Sequence, residues 1–141
     1  MNHRIDTPAD QLGQFPDDVV ARQVDRLVEA MNADSRFIEQ LADVRATTLV
    51  LRATDTGREI MIVLDRHGVQ ARAHDGEPFD AMIEATEQVH VAVLTGQMDA
   101  DAAFFARKVS IHGSLLAAFR VKNRFLSLLH WHWDHQEQPC E

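Results

Sequence analysis

The sequence predicts an α/β (α+β) domain in which a largely antiparallel sheet carries helices on one face. Three observations support this fold class: an amphipathic helical stripe near the start, alternating apolar segments separated by turn residues in the middle, and a strongly apolar helical segment near the end. The chain has 141 residues, which favours one domain whose core needs no disulfide or structural metal. We therefore divide it into a flexible lead-in at 1–16 and a single domain at 17–141.

Composition excludes some classes of function. The net charge is −8 and there is no basic stripe, which argues against binding nucleic acid and against attraction to anionic membranes as main roles. The single cysteine, Cys140, has no partner for an intramolecular disulfide, which is typical of a reducing compartment. The first residues lack the apolar core of a secretory signal, and no stretch approaches the roughly 18 to 20 apolar residues that span a bilayer. We expect a soluble, cytoplasmic protein.

The first helix is predicted to begin at Pro16, followed by Asp17 and Asp18, because proline suits a first helical turn and acidic residues there complement the helix dipole. Apolar side chains then recur at helical spacing and form a single stripe, which consists of Val20, Val24, Leu27, Val28 and Met31. The pattern breaks at 32–35, and a short second helix is predicted around 37–41.

Strands are predicted next at 47–52, 59–64 and 69–74, because apolar residues there alternate with period two. Turns at 54–57 and 65–68 join them into an antiparallel meander with one apolar face. The small side chains of Ala71 and Ala73 leave room above the third strand, which a helix commonly fills. A fourth strand is predicted at 79–85, with Thr86 as a helix cap. Residues 89–94 also alternate and are rich in β-branched side chains, so periodicity alone predicts a strand there.

Residues 94–123 carry the most specific pattern: a helix end, a stop at Gly96, a short helix with Phe104 and Phe105, a strand, a stop at Gly113 and a long apolar helix. This order resembles the SCP2 family, the sterol-carrier-protein-2 domain that binds lipids in an apolar tunnel. The resemblance implies an SCP2-like five-stranded sheet with an apolar cavity under its helices. It also makes 89–94 a helix and 108–112 the fifth strand, with Asp99 or Asp101 and then Ser114 as the next helix caps.

The resemblance further implies a protein that binds and presents an apolar lipid, with no catalytic residues, no cofactor and no metal. Burying ten carbons of a lipid tail contributes about 8 kcal/mol gross without any polar contact, so such a site needs volume and apolar walls rather than a motif. By the resemblance, these walls come from ten residues, although ordinary core packing is the better explanation of each one taken singly: Met82, Val93, Leu94, Met98, Phe104, Phe105, Ile111, Leu115, Leu116 and Phe119.

A subgroup within the family is indicated by Arg107, which stands where many members carry glycine, and by residues 121–123. These features look like the bacterial SCP2 proteins that assist ubiquinone biosynthesis. That likeness implies an isoprenoid quinone intermediate as the ligand, with a phospholipid or fatty acyl chain as alternatives, and hydroxylases as partners. The sequence leaves open whether the protein contacts membranes transiently and whether it forms a homodimer.

The predicted last helix is apolar on more than one side, which fits a buried helix, a dimer face, a tunnel wall or membrane contact. Its end raises a rival function, because the run His130-Trp131-His132-Trp133-Asp134-His135 fits the HxHxDH signature of zinc-dependent metallo-β-lactamase-type hydrolases. Only six residues follow His135, so no later ligand completes a second metal shell. A metal-dependent hydrolase and a ligand-free interaction module remain the alternatives to a lipid carrier.

Other polar residues form no catalytic set, because no serine lies in a glycine-flanked nucleophile elbow. We interpret the scattered histidines as solvated or hydrogen-bonded groups, and Glu84 as a solvent-facing strand carboxylate whose other role would be to bind a lipid headgroup. The histidines in question are His67, His74, His90 and His112.

Overall fold

The structure is a computed structural model that describes residues 18–123. The predicted lead-in at 1–16 and the HxHxDH run lie outside the described residues. In chain order the elements are α1 (Val19–Asn32), α2 (Ser35–Gln40), β1 (Thr47–Ala53), β2 (Glu59–Asp65), β3 (Gly68–Ala73), β4 (Ala81–Ala85), α3 (Glu87–Leu94), α4 (Ala100–Phe105), β5 (Ser110–Gly113) and α5 (described over 115–123). Across this range, no helix has both the length and the hydrophobicity that crossing a bilayer requires.

The five strands form one sheet in the order β3-β2-β1-β4-β5. Strands β1, β2 and β3 form the predicted antiparallel meander, and β4 pairs antiparallel with β5. Only β1 and β4 are parallel, which makes the sheet mixed but largely antiparallel, as the sequence predicted. The parallel pair arises because the chain leaves the edge strand β3 and crosses β2 and β1 before it enters β4.

Helix α1 covers the outer part of the sheet, where it packs against β3. Asp18 caps it, since the Asp18 carboxylate accepts a hydrogen bond from the Ala21 N–H at 3.0 Å. At its other end, the Asn32 side chain accepts from the Val69 N–H at 3.0 Å and donates to the Val69 carbonyl at 2.7 Å, and so pairs with the edge strand. A side chain at Gly68 would lie 2.6 Å from the Asn32 amide oxygen, so this contact requires glycine.

Residues 89–94 belong to a helix, so the strand predicted from periodicity is wrong and the helix implied by the family resemblance is confirmed. Thr86 caps α3, its hydroxyl oxygen accepting from the Val89 N–H at 3.3 Å. The helix ends before Gly96, which adopts φ +81°. A buried pair one turn apart, His90 and Leu94, fixes the inner side of α3, and tertiary packing therefore overrides the β-branched composition.

The apolar core lies between the helices and one face of the sheet. Strand alternation places every second residue of β1, β2 and β3 on this face, and the helices contribute the residues of the predicted α1 stripe. Among the buried sheet residues of this face are Leu49, Leu51, Ile60, Ile62, Leu64, Val69 and Ala71. Ala71 is only 4% exposed, so the space above this small side chain is filled, which is the common outcome named in the sequence analysis.

The opposite face of the sheet is covered by the connection at 74–80, which we call the strap. Glu77 of the strap pairs with Arg72 of β3 at 3.4 Å, and the Phe79 ring packs edge-on against His74 at 5.5 Å between centroids. Val50 and Met61, on the second face beneath this crossing, are only 0% and 3% exposed. Because residues up to 80 belong to the strap, β4 begins at Ala81 rather than at the predicted position 79.

Candidate functional site

An apolar cavity of about 110 Å³ lies between the helix-covered face of the sheet and helices α3, α4 and α5. Three of its lining residues are polar, namely His90, Asp101 and Lys122. The others are Leu49, Leu51, Ile62, Ile83, Val89, Val93, Leu94, Ala100, Phe104, Val109, Ile111, Ala118, Phe119 and Val121.

The floor of the cavity is a row of branched aliphatic side chains that crosses three strands. Leu51 of β1 is the register partner of Ile83 of β4, and Ile83 is the partner of Ile111 of β5. Paired residues in neighbouring strands point to the same face of a sheet, so these three side chains lie side by side. They form an apolar surface on the half of the sheet away from β3.

The roof is formed by two phenylalanines on different helices. Phe104 of α4 and Phe119 of α5 meet edge to face with 6.1 Å between ring centroids. Asp99 caps α4 by accepting from the Ala102 N–H at 2.9 Å, and Ser114 caps α5 by accepting from the Ala117 N–H at 3.0 Å. These caps begin the two helices at positions that bring the aromatic rings together.

A salt bridge joins the same two helices at the edge of the cavity. The Lys122 ammonium lies 2.7 Å from the Asp101 carboxylate and 5.5 Å from the centroid of the Phe119 ring. Of the two acids predicted as caps of α4, Asp99 is therefore the cap and Asp101 instead links α4 to α5.

His90 is the buried polar group of the cavity wall, with 5% of its surface exposed. Its Nε2 lies 2.9 Å from the backbone carbonyl oxygen of Arg52, and because a carbonyl only accepts, Nε2 carries the proton. Burial lowers the pKa of His90, and the carbonyl hydrogen bond and the charge of Asp55 offset this only in part. The imidazole is therefore neutral at neutral pH. Its hydrogen bond agrees with the prediction that His90 is a solvated or hydrogen-bonded histidine.

Half of the ten predicted wall residues line the cavity: Val93, Leu94, Phe104, Ile111 and Phe119. Whether any of them contacts a ligand stays a prediction.

The other five predicted wall residues do not line the cavity. Met82 lies on the opposite face of the sheet, because its register partners are Val50 and His112 and side chains alternate along β4. Met98 lies in the connection between α3 and α4, outside the cavity wall. Phe105, Leu115 and Leu116 point outward, with 79%, 46% and 67% of their surfaces exposed.

The sequence interpretation missed the sheet residues that form the floor. The alternation of β1 and β2 already placed Leu49, Leu51 and Ile62 on one apolar face, so this signal was present. In β4, choosing Met82 instead of Ile83 placed the predicted contact one residue away from the face that lines the cavity. The polar residues His90 and Lys122 gave no signal of their own.

Five side chains, in which basic and acidic residues alternate, form a row across the second face of the sheet, which we call the charge ladder. His112 Nε2 lies 2.8 Å from Glu84 Oε1, and Glu84 Oε2 lies 3.3 Å from Arg52 Nε. Arg52 Nη1 lies 3.2 Å from Glu59 Oε2, and Glu59 Oε1 lies 2.7 Å from His74 Nδ1. The sequence interpretation treated Glu84 and these histidines as isolated groups. Over 18–123, no group of three or more potential ligands is arranged to hold a metal ion.

A family model described as the SCP-2 sterol transfer family matches residues 25–125, a range that includes every residue of the cavity wall. This chain belongs to that family. Membership supports lipid binding or transfer as the class of function, and SCP2 domains are generally non-catalytic. The comparison with curated proteins gave no match.

Solved structures share the fold at low sequence identity. The sterol carrier protein domain 2 of Helicoverpa armigera is 21% identical over 79% of this chain and 88% of that chain, with a TM-score of 0.56. A ubiquinone synthesis protein, UbiJ-SCP2, is 14% identical over 83% of this chain and 97% of that chain, with a TM-score of 0.57.

The fold also occurs within a larger enzyme. The stereoselective inverting sec-alkylsulfatase Pisa1 from Pseudomonas sp. is 16% identical over 70% of this chain, with a TM-score of 0.56. The chain spans only 14% and 15% of the lengths of the two sec-alkylsulfatase structures that it matches.

Proposed function

We propose that the protein binds the apolar chain of a lipid in the cavity and presents it to other proteins without catalysing a reaction on it. One observation carries the proposal: the cavity has a floor of aliphatic side chains and a roof of two phenylalanines. A hydrocarbon chain that enters this space gains about 0.8 kcal/mol for each methylene removed from water. A ligand-free interaction module would instead have a filled core at this place.

Entry of a long chain requires the cavity to widen, because about 110 Å³ is less than the roughly 300–1,000 Å³ of typical ligand pockets. The wall between α4 and α5 is the part suited to open. The Asp101 and Lys122 side chains of its salt bridge are 56% and 23% exposed, and such a bridge contributes only about 0–1 kcal/mol. Opening there leaves the sheet floor unchanged.

The finer proposal is an isoprenoid quinone intermediate as the ligand and an accessory role in ubiquinone biosynthesis. Its support is the fold shared with UbiJ-SCP2 over 97% of that protein, together with Arg107 and residues 121–123. On this proposal the partners are hydroxylases of the pathway, the setting is the cytoplasm, and the protein contacts the membrane transiently to exchange its ligand. A phospholipid or a fatty acyl chain would use the same apolar wall.

Native mass spectrometry of the purified full chain, followed by organic extraction, tests the proposal. We expect a quinone, prenyl or phospholipid species at close to one per chain. Neighbouring residues of β4 provide matched variants: Ile83→Phe fills the cavity and should reduce the bound lipid, whereas Met82→Phe, on the opposite face, should not. A bare protein that carries zinc would instead support the hydrolase, and a bare, metal-free dimer would support the interaction module.

A further inference from the structure

Large apolar side chains are exposed around the roof of the cavity. In the described part of the chain, four large hydrophobic residues are exposed, and three of them are Phe105, Leu115 and Leu116. The Phe105 ring contacts Phe104 at 5.6 Å between centroids. Leu115 and Leu116 precede Phe119 by about one helical turn, so they lie on the same side of α5 as this roof residue. The exposed residues therefore form one patch, centred on the two rings that close the cavity.

Positive charge is concentrated at the same place. Residues 102–123 contain four cationic residues and no Asp or Glu, whereas residues 18–101 contain sixteen acidic residues and eight Lys or Arg. Three of the four cations, Arg107, Lys108 and Arg120, are exposed, and the fourth is Lys122 of the salt bridge. The net charge of −8 thus conceals a segment of opposite sign, which the net charge alone could not reveal.

The fold holds these cations beside the exposed apolar residues. The turn after α4 is tight, because Arg107 adopts φ +64° and its N–H donates to the Phe104 carbonyl at 3.0 Å. The Lys108 N–H donates to the Ala103 carbonyl at 2.9 Å, so the turn folds back on α4 directly after Phe105. Arg120 lies one helical turn after Leu116 on the exposed side of α5.

We infer that Phe105, Leu115, Leu116, Arg107, Lys108 and Arg120 form a docking face for the surface of an anionic lipid bilayer. The cations face the lipid headgroups and the apolar side chains enter the interface. The acidic remainder of the protein is repelled by the same surface, so the charge distribution orients the molecule with α4 and α5 toward the membrane. The inference rests on the proposed function, since it brings the wall that opens for a lipid against the lipid source.

Sedimentation with vesicles tests this inference on the full chain. We expect binding to vesicles of phosphatidylcholine mixed with phosphatidylglycerol, little binding to vesicles of phosphatidylcholine alone, and weaker binding as salt is raised. Each exposed cation near an anionic surface strengthens binding about fivefold, so the double variant Arg107→Gln/Lys108→Gln should bind at least about tenfold more weakly. Phe105→Ser should also weaken binding, and because Phe105 is 79% exposed we expect little loss of stability.

Matched controls are Arg66→Gln, an exposed cation in the β2–β3 turn, and Phe79→Ser, an exposed phenylalanine in the strap. Neither should change vesicle binding. Equal binding of wild type and Arg107→Gln/Lys108→Gln, or equal binding to both vesicle types, overturns the inference. Dimerisation that Phe105→Ser abolishes, without vesicle binding, overturns it in favour of a contact between two copies.

A second measurement separates this inference from the proposed function. Binding of a fluorescent fatty acid in solution reports on the cavity alone, so the docking variants should retain it while Ile83→Phe loses it. If the wild type does not bind the fatty acid, the carrier function is contradicted. The vesicle experiment would still test membrane docking, because it does not depend on the cavity.

Discussion

The two faces of the sheet are covered in different ways, and the difference is clearest at the histidine that each face buries. The helix-covered face carries the cavity, and the His90 ring there donates from Nε2 to a backbone carbonyl. The opposite face carries the strap and the charge ladder, and the His74 side chain there is only 7% exposed. Its Nδ1 lies 2.7 Å from Glu59 and its Nε2 lies 2.8 Å from the Glu77 carbonyl oxygen.

The surroundings of the two imidazoles favour opposite protonation states. Both partners of His74, a carboxylate and a carbonyl, only accept hydrogen bonds, so both of its ring nitrogens must donate and the ring is cationic. Burial acts to lower the pKa of His74, but the hydrogen bonds to Glu77 and Glu59 and the two carboxylate charges outweigh it and raise the pKa. For His90, burial dominates and lowers the pKa.

One sheet thus serves two purposes. The ladder links side chains of β5, β4, β1, β2 and the end of β3, so it adds contacts between neighbouring strands on the face that has no cavity. The helix-covered face can then leave space above Leu51, Ile83 and Ile111 without losing its floor. We infer that ligand entry moves α4 and α5 while the sheet stays fixed.

The largest effect is expected from truncating the filled part of the helix-covered face. Leu64 is 1% exposed and packs in the core away from the cavity, so Leu64→Ala should lower the free energy of unfolding by about 2–5 kcal/mol. Val63, its neighbour on the other face, is half-buried, and Val63→Ala should cost less than about 1 kcal/mol. Urea unfolding of both variants measures the difference, and equal costs would show that the two faces contribute alike.

The next effect concerns His74 and depends on pH. Because the folded pKa is raised, the stabilisation is complete below the unfolded value of about 6.5 and is lost as pH rises through the folded value. His74→Ala should therefore lower the free energy of unfolding by about 1.5–3 kcal/mol near pH 6, and by less at alkaline pH. Urea unfolding across this range tests it. If the difference in unfolding free energy between wild type and His74→Ala stays constant with pH, His74 is neutral under the strap.

Glu77 also stabilises the strap, and its contribution is lost at low pH. Hydrogen bonds from backbone N–H groups, that of Asp75 first, and the charge of Arg72 lower the pKa of Glu77. Its contribution is therefore present above the unfolded pKa and is lost as pH falls through the folded one. Both contributions are complete only between the unfolded pKa of Glu77, about 4.3, and the unfolded pKa of His74, about 6.5, so the strap should be held most firmly in this pH range.

His90 should give a pH dependence of the opposite sign. Its folded pKa is lowered, so the unfolded chain takes up a proton first and the protein loses stability as pH falls below about 6.5, with a slope of at most about 1.4 kcal/mol per pH unit. His90→Gln keeps an N–H that can donate to the Arg52 carbonyl but does not titrate. The stability of wild type minus that of this variant should therefore fall between about pH 7 and pH 5, and a rise would contradict the neutral assignment.

The strand and helix pattern was largely predictable, because local signals determine it. Alternation located the meander, and the predicted caps Thr86 and Ser114 mark helix starts, whereas Asp18, predicted as an acid of the first turn, is itself the cap of α1. Residues 89–94 were predicted correctly only by family resemblance, since their β-branched composition favours a strand and packing of the inner side of α3 decides the outcome. The crossing from β3 to β4 was not predictable from pattern, because it depends on pairing between strands distant in sequence.

The cavity was predictable in part for a related reason. Phe104 and Phe119 lie on helices whose positions relative to the glycine stops fix them, and both line the cavity. Choosing Met82 instead of Ile83 shows that a shift of one residue in a short strand exchanges the two faces. The ladder has no sequence signature, because its five members come from five separate segments and only the sheet order brings them together.

The smallest effect is expected from the ladder. Arg52 is 34% exposed and bonds to Glu59 and Glu84, whose side chains are 26% and 28% exposed, so solvent screens these pairs. A double-mutant cycle with Arg52→Gln and Glu84→Gln should give a coupling energy of about 0.5–1 kcal/mol, measured by urea unfolding. The coupling should shrink at high salt, whereas the cost of Leu64→Ala should not, since only the first is electrostatic. No coupling at low salt would mean that the ladder does not stabilise the sheet and is only a consequence of the strand order. Packing on the helix-covered face alone would then hold the cavity floor in place.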